Sequence, residues 1–145
     1  MTDDRAGDLR RLMPLAETLG IQTGAFTADV VELSLEWSQS LCTAGGILHG
    51  GVIMALADSA GGACALLNLP DGASGTATIE SKTNFLGTVR GGMVTATARP
   101  LHRGGTTMVV ETEVRDTAGR LVAKVTQTQI VLRADAASRA TRSTS

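Results

Sequence analysis

The segment from Gly50 to Leu69 constrains the fold more than any other, because it is long, apolar and almost free of charge. Its apolar residues repeat at helical spacing, and the opposite face is also small or apolar. A helix that is apolar all round is typical of a buried position. Asp58, Gly61 and Gly62 interrupt the segment, which favours a core helix over a membrane span.

Alternating apolar and polar residues predict strands on both sides of this helix. The segment 28–37 has one polar face, and four further strands follow the helix at 76–85, 93–101, 106–115 and 121–132. Short turns between these four predict an antiparallel meander. Because a buried helix needs a curved antiparallel sheet to wrap it, we expect an α+β fold with a long central helix inside such a sheet.

The two ends of the chain differ in pattern from this central part. Apolar residues at near-helical spacing predict a short amphipathic helix over 8–19, with Pro14 in its middle. A length of 145 residues suits one domain, which we place at 1–133. Residues 134–145 are nearly all Ala, Ser, Thr and Arg, so they have little to bury and are expected to form a disordered tail.

Composition argues against several classes of function. Thirteen Lys and Arg residues against fourteen Asp and Glu residues give a formal charge of -1, which disfavours a nucleic-acid partner. Aromatic residues make up 2% of the chain, so stacking platforms for bases are nearly absent. Two cysteines outside any C-x-x-C motif, and a polar N-terminus, predict a reduced cytoplasmic protein with no membrane role.

Asp58 needs an explanation, because burial of an unpaired carboxylate is costly. In one interpretation the residue is structural, and its carboxylate escapes at the edge between helix and sheet or caps a neighbouring loop. In the other it is functional, and the carboxylate is desolvated within a catalytic site. The residues alone leave both interpretations open.

His49-Gly50-Gly51 stands where the long helix should begin. Free backbone N–H groups and the positive end of the helix dipole can bind an oxyanion there, although two glycines can also simply permit a tight turn. Gly50 and Asp58 are about 12 Å apart along one helix, so they can cooperate only if Asp58 meets Gly50 of a second subunit. We therefore expect a homodimer or a dimer of dimers.

Other motifs point less clearly to chemistry. Ser59 lacks the first glycine of a G-x-S-x-G elbow and lies in a helical segment, which argues against a serine hydrolase. His49 and His102 are far apart and outside any metal-binding motif, so no metal site is expected. The segment 102–105 predicts a basic glycine-containing turn that either contacts a phosphate or is simply exposed.

Several short motifs stand in a fixed order across residues 28–132. They are Gly46-Ile47-Leu48-His49-Gly50-Gly51, Ala55-Leu56-Ala57-Asp58, Thr78, Asn84-Phe85-Leu86, His102-Arg103-Gly104 and Gly119-Arg120-Leu121-Val122-Ala123. This set resembles the hotdog-fold acyl-CoA thioesterases of the phenylacetate-pathway type, and the H-G-G-x6-D spacing is its most specific part. Two positions depart from that family: Thr43 stands where relatives often have Asn, and Gly87-Thr88 where they commonly have Arg-Pro.

The resemblance implies a hotdog fold and a dimer with both sites at the interface. It implies that the Gly50 N–H binds the thioester oxygen, that Asp58 of the other subunit acts as general base or nucleophile, and that Thr78 helps to orient water. The residues expected to bind the rest of the substrate are His49, Gly51, Thr43, Asn84, His102, Arg103 and Gly104.

The leading hypothesis is therefore a thioesterase that converts an aryl- or medium-chain acyl-CoA to the free acid and CoA. This reaction needs an oxyanion donor and a carboxylate, but no cofactor. The alternative is a non-catalytic hotdog module that binds acyl-CoA as a sensor or assembly component. Asp58 argues against that alternative, because binding alone gives no reason to place a charge beside a thioester.

Overall fold

A computed structural model describes residues 9 and 11–134, which form a six-stranded sheet around one long helix. The predicted tail lies outside the described residues beyond residue 134. The elements in chain order are α1 (Pro14–Thr18), β1 (Gln22–Phe26), β2 (Val31–Glu36), α2 (Gly50–Leu67), β3 (Gly75–Phe85), β4 (Met93–Arg103), β5 (Thr107–Arg115) and β6 (Leu121–Leu132).

All six strands join one antiparallel sheet in the order β1-β2-β4-β5-β6-β3. β4, β5 and β6 are neighbours, as the turns between them predicted. The predicted four-strand meander is wrong at its first strand, because β3 pairs with β6 and not with β4. The link at 86–92 is too long for a tight hairpin turn, and it leads across the sheet from the β3 edge.

The sheet curves around α2, which contacts β2, β3, β4, β5 and β6. Strands β2 and β5 bury every second residue against the helix, as period-two patterns require. These buried residues include Val31, Leu33, Leu35, Met108, Val110 and Val114. The prediction of a long central helix wrapped by a curved antiparallel sheet, the hotdog arrangement, is confirmed.

Near the N-terminus one prediction needs correction and one strand was missed. The helix expected over 8–19 is not continuous, because Met13 has φ -129° and ψ 86° and α1 begins at Pro14. A proline ring disfavours helical backbone in the residue before it, which explains the break. Strand β1 was not predicted, since it is short, contains Gly24 and has no alternating burial; it pairs antiparallel with β2.

α2 is not buried on all sides, which corrects the expectation drawn from its apolar composition. Gly51, Met54, Asp58 and Leu66 are exposed along one side, which we call the α2 stripe. Its composition is mostly small or apolar, so the sequence pattern does not reveal it as a surface. By length and its mean hydropathy of 1.5 alone, α2 could cross a membrane, but half of it is buried in this fold, as expected of a core helix.

The β3 edge is a second exposed surface. Most of β3 is exposed, and the side chain of Ile79 is 61% exposed. An edge strand presents unpaired backbone groups and is a template for pairing with another chain. Gly62 and Leu66 of α2 line one cavity together with Thr76 and Thr78 of β3, so the α2 stripe and the β3 edge lie on the same side of the molecule.

Candidate active site

The loop at 38–49 determines where α2 begins. A β-bridge between Cys42 and Leu48 closes the loop. The backbone N–H of His49 donates to the carbonyl of Leu41 at 2.9 Å. These contacts hold His49 in extended conformation, with φ -62° and ψ 132°, directly before the first helical residue.

His49 caps α2 with its imidazole. Its Nδ1 accepts the backbone N–H of Gly51 at 2.8 Å, which requires that this nitrogen carry no proton. A Cβ on Gly51 would lie 2.9 Å from the same nitrogen, so the cap needs glycine at this position. In the free chain the Gly51 N–H is therefore occupied by this cap. The substrate-binding roles expected for His49 and Gly51 stay predictions.

The backbone N–H of Gly50 remains open. The first N–H groups of a helix have no partner within it, and no residue in the described part of the chain accepts a hydrogen bond from this one. The ring of Phe85 lies over Gly50, at 3.2 Å from the position of an added Cβ. The site thus offers one free donor at the positive end of the helix dipole, beside an apolar ring.

Asp58 lies two turns further along α2, on the α2 stripe. In one chain its side chain is exposed, so the desolvation that the catalytic interpretation requires does not occur within a single subunit. From the sheet side, Nε2 of Gln127 donates to Asp58 Oδ1 at 3.5 Å. Any desolvation of the carboxylate must therefore come from a surface that covers the α2 stripe.

Thr78 is held by a buried amide. It pairs with Gln129 of β6, whose Nε2 donates to Thr78 Oγ1. The hydroxyl of Thr76 donates to Oε1 of the same amide at 3.0 Å. Because Thr78 Oγ1 already accepts from Gln129, its own proton is free to point elsewhere, as a donor to water or to a substrate.

An apolar cavity of about 470 Å³ opens beside Thr78. Gly62 and Leu66 line it, and they follow Asp58 by one and two turns on the same side of α2. Thr78 and Gln129 supply part of its polar lining, while α2, β1, β3 and the N-terminal segment supply apolar walls. The carboxylate and the cavity thus belong to the same chain.

Two predicted substrate-binding residues have no described contact with Asp58 or Thr78. Thr43 is exposed in the loop before α2, and its backbone N–H donates to the carbonyl of Ile47 at 2.8 Å. Asn84 pairs with Lys124 of β6 in register, so the two side chains share the outer face of the sheet. Roles for both in binding stay predictions.

The basic segment 102–105 is at the other end of the molecule. His102 and Arg103 continue β4 and are not part of a turn, which corrects that prediction, and the Gly104 N–H closes the hairpin onto Thr107 at 2.9 Å. Arg103 pairs with Asp29 at 2.9 Å. Arg103 also donates to the carbonyl of Ala28, and the same carbonyl accepts the side-chain amide of Asn68, the residue that follows α2. The hairpin therefore lies at the C-terminal end of α2, far from Gly50.

The buried thiol of Cys64 is not poised for reaction. Burial raises the pKa of Cys64 to about 11, with smaller contributions from Arg103, which lowers it, and Asp29, which raises it, so the thiol stays protonated near neutral pH. Within residues 9 and 11–134, no three His, Cys, Asp or Glu side chains are grouped as a metal site would require.

Three residues near the site were missed as functional candidates: Phe85, Gln127 and Gln129. The two glutamines stand at inward positions of β6, between the buried Val125 and Val131. The sequence did contain a signal for the two glutamines, because they occupy two positions of β6 at which the alternation predicts an apolar, inward-facing residue. Their meaning depends on Asp58 and Thr78 being opposite them, which strand pairing decides.

Residues 45–123 match the family model of the thioesterase superfamily. The matched segment contains the free N–H of Gly50, Asp58 and Thr78. This chain belongs to the thioesterase superfamily. It is accordingly a thioester hydrolase, and the resemblance inferred from its motifs is confirmed at the level of the hotdog thioesterases.

Individual relatives agree with this assignment. A protein of Saccharolobus solfataricus, named as a provisional esterase, is 36% identical over 101 residues, which cover 70% of this chain and 71% of that protein. The 1,4-dihydroxy-2-naphthoyl-CoA hydrolase of Listeria monocytogenes is 32% identical over 112 residues, covering 76% and 89%. The crystal structure of thioesterase HI1161 from Haemophilus influenzae superposes with a TM-score of 0.81 at 29% identity, covering 88% and 90% of the two chains.

Proposed function

We propose that this thioesterase hydrolyses an aryl- or medium-chain acyl-CoA at two sites formed across the interface of a homodimer. The observation that carries the proposal is the separation of a free donor, the Gly50 N–H, from a carboxylate, Asp58, by about 12 Å on one helix. Two antiparallel α2 helices related by a twofold axis would bring Gly50 of one subunit to Asp58 of the other.

Two exposed surfaces support such a dimer. The α2 stripe is mostly small or apolar, and the β3 edge has open backbone groups and the exposed Ile79. A second copy that pairs along β3 would cover both surfaces and remove water from Asp58. The apolar composition of α2, which suggested burial on all sides, is then explained by burial in the assembly.

The chemistry follows from these groups. Negative charge that develops on the thioester oxygen is stabilised by the Gly50 N–H and the helix dipole. Asp58 either removes a proton from the attacking water or attacks the carbonyl carbon itself, and CoA departs as the thiolate. After attack by the carboxylate itself, water hydrolyses the resulting mixed anhydride, which releases the acid and restores Asp58. The free hydroxyl proton of Thr78 can orient the water or the acyl group beside the carboxylate.

The cavity beside Thr78 supports an apolar acyl group of moderate size. Its volume of about 470 Å³ lies in the range of small-molecule sites, and its walls next to Asp58 are Gly62 and Leu66. An acyl chain or aromatic ring that enters it leaves the thioester at the carboxylate. The Listeria relative, which is named for an aromatic acyl-CoA substrate, supports the aryl part of the proposal.

A panel of acyl-CoA thioesters tests the proposal, with release of CoA followed by a thiol-trapping reagent. We expect turnover of aryl-acyl or medium-chain substrates, and much slower turnover of acetyl-CoA, which leaves the cavity empty. Tight binding of an acyl-CoA without turnover would contradict the proposal and support a binding module.

The assembly is a separate prediction. We expect light scattering to show a dimer or a dimer of dimers, and the change Ile79→Asp to give an inactive monomer, because it places two carboxylates at the paired edges. Leu101→Asp is the matched control, since Leu101 is 66% exposed but lies on β4. A fully active monomer at assay concentration would contradict the shared site.

A further inference from the structure

Gln127 is placed unusually for a residue in the core of this sheet. Its side chain is fully buried on the inner face of β6, and its Nε2 approaches Asp58 Oδ1 at 3.5 Å. Its Oε1 accepts no hydrogen bond from any residue that the structure describes. A buried carbonyl without a partner destabilises a fold, so such a group calls for an explanation other than packing.

A second feature of the fold leaves room for this amide. Gly61 lies in the middle of α2, where glycine is unfavourable compared with alanine. A Cβ at Gly61 would overlap the Gln127 amide. The fold therefore tolerates two destabilising features, a helix glycine and an unpartnered carbonyl, to place this amide against the helix beside Asp58.

At regular positions of the described sheet, the charged residues lie on the outer face, away from Asp58. The register places Glu80 and Lys82 of β3 on the outer face, opposite Thr128 and Thr126. Lys124 forms ion pairs with Glu111 and Glu113 on that same outer face. The same alternation places three charged residues of β2 and β4 on the outer face, because their neighbours in the strand are the ones that face inward. They are Glu32, Glu36 and Arg99. On the inner face, Gln127 is the polar side chain that the structure records against the carboxylate.

We propose that Gln127 is a positioning residue for catalysis, whose amide N–H orients the Asp58 carboxylate toward the substrate of the shared site. This inference rests on the proposed function. The contact is long for a hydrogen bond, as expected where the carboxylate reaches outward from the α2 stripe and the amide reaches from the core. Gln127 is buried below the carboxylate and acts on the substrate only through Asp58.

The test is a cycle of Gln127→Met, Asp58→Asn and the double variant, with kcat, KM and urea unfolding measured for each. Met keeps the length of the side chain but has no N–H donor. We expect Gln127→Met to lower kcat by roughly tenfold with KM within about twofold, while stability is unchanged or increased. In the Asp58→Asn background it should lower the residual rate no further.

Thr112→Val is the matched control, because Thr112 is also fully buried and its hydroxyl has no partner in the described structure. It should leave kcat unchanged. Gly61→Ala is a second variant that displaces the amide from the helix side, and it should also lower kcat with little change in KM. A Gln127→Met enzyme with wild-type kcat, or an equal loss in the Asp58→Asn background, would overturn the inference.

The unfolding measurements separate this inference from the proposed function. If Gln127 holds Asp58, Gln127→Met and Asp58→Ala are non-additive in unfolding free energy, whether or not the chosen acyl-CoA is hydrolysed. Alanine is used for this measurement because asparagine would keep the acceptor of the Gln127 N–H. Strict additivity of the two substitutions would overturn the role of Gln127 even in an active enzyme. Absence of hydrolysis by the wild type would instead contradict the proposed function.

Discussion

Asp58→Asn is expected to lower kcat by at least about a hundredfold while the protein keeps its fold and its assembly. Asparagine has nearly the same volume, and its Oδ1 can still accept the Nε2–H of Gln127. The amide can neither remove a proton from water nor attack a thioester. We expect KM to change little, since the acyl cavity is lined by other residues, and steady-state kinetics on the best acyl-CoA measure both constants.

Asp71→Asn is the matched control for this change. Asp71 is also exposed, but it lies in the turn after α2. Its substitution removes the same charge at a position away from the site. Its kcat should equal that of the wild type. If Asp58→Asn hydrolyses the substrate within a few-fold of the wild-type rate, the carboxylate is structural and the proposed chemistry is wrong.

Gly50→Pro is expected to lower kcat by roughly a hundred- to a thousandfold compared with Gly50→Ala, because it removes the N–H that binds the oxyanion. Proline is tolerated at the first helical position, and His49 already has the extended backbone that proline favours in its predecessor. The substitution should therefore leave α2 intact.

Gly50→Ala is the control because it adds the same Cβ but keeps the N–H. In both variants this atom meets the ring of Phe85 at 3.2 Å, so the ring must shift slightly in each. The difference between their kcat values isolates the donor. Equal rates for the alanine and proline variants would show that the Gly50 N–H does not stabilise the transition state.

The sequence predicts the fold well where local patterns decide it. The alternation in β5 and β6 and the turn between them identify two strands and their pairing. The position of β3 was not predictable in this way, because residues 86–92 connect β3 to a distant strand and only the completed sheet shows β6 as its neighbour. β1 escaped because a short strand at the sheet edge needs no apolar alternation.

The site is predictable in part for a related reason. Gly50 and Asp58 follow from a helix start and a lone charge, which are local features. What covers Asp58 cannot be predicted from local features. An apolar helix surface can face a sheet or a second subunit, and the sequence pattern is the same in both cases. Gln127 and Gln129 act through residues on other elements, so their roles appear only once strand register is known.

The most direct test of the shared site is complementation between two inactive variants. Gly50→Pro and Asp58→Asn are mixed, unfolded and reassembled, and mass spectrometry confirms that hybrids form. If each site takes Gly50 from one subunit and Asp58 from the other, each hybrid has one doubly damaged site and one intact site. Random pairing makes half of the dimers hybrids, so activity should return to roughly one quarter of the wild-type value. Hybrids that form but restore no activity would show that both residues act within one chain, and would contradict the shared site.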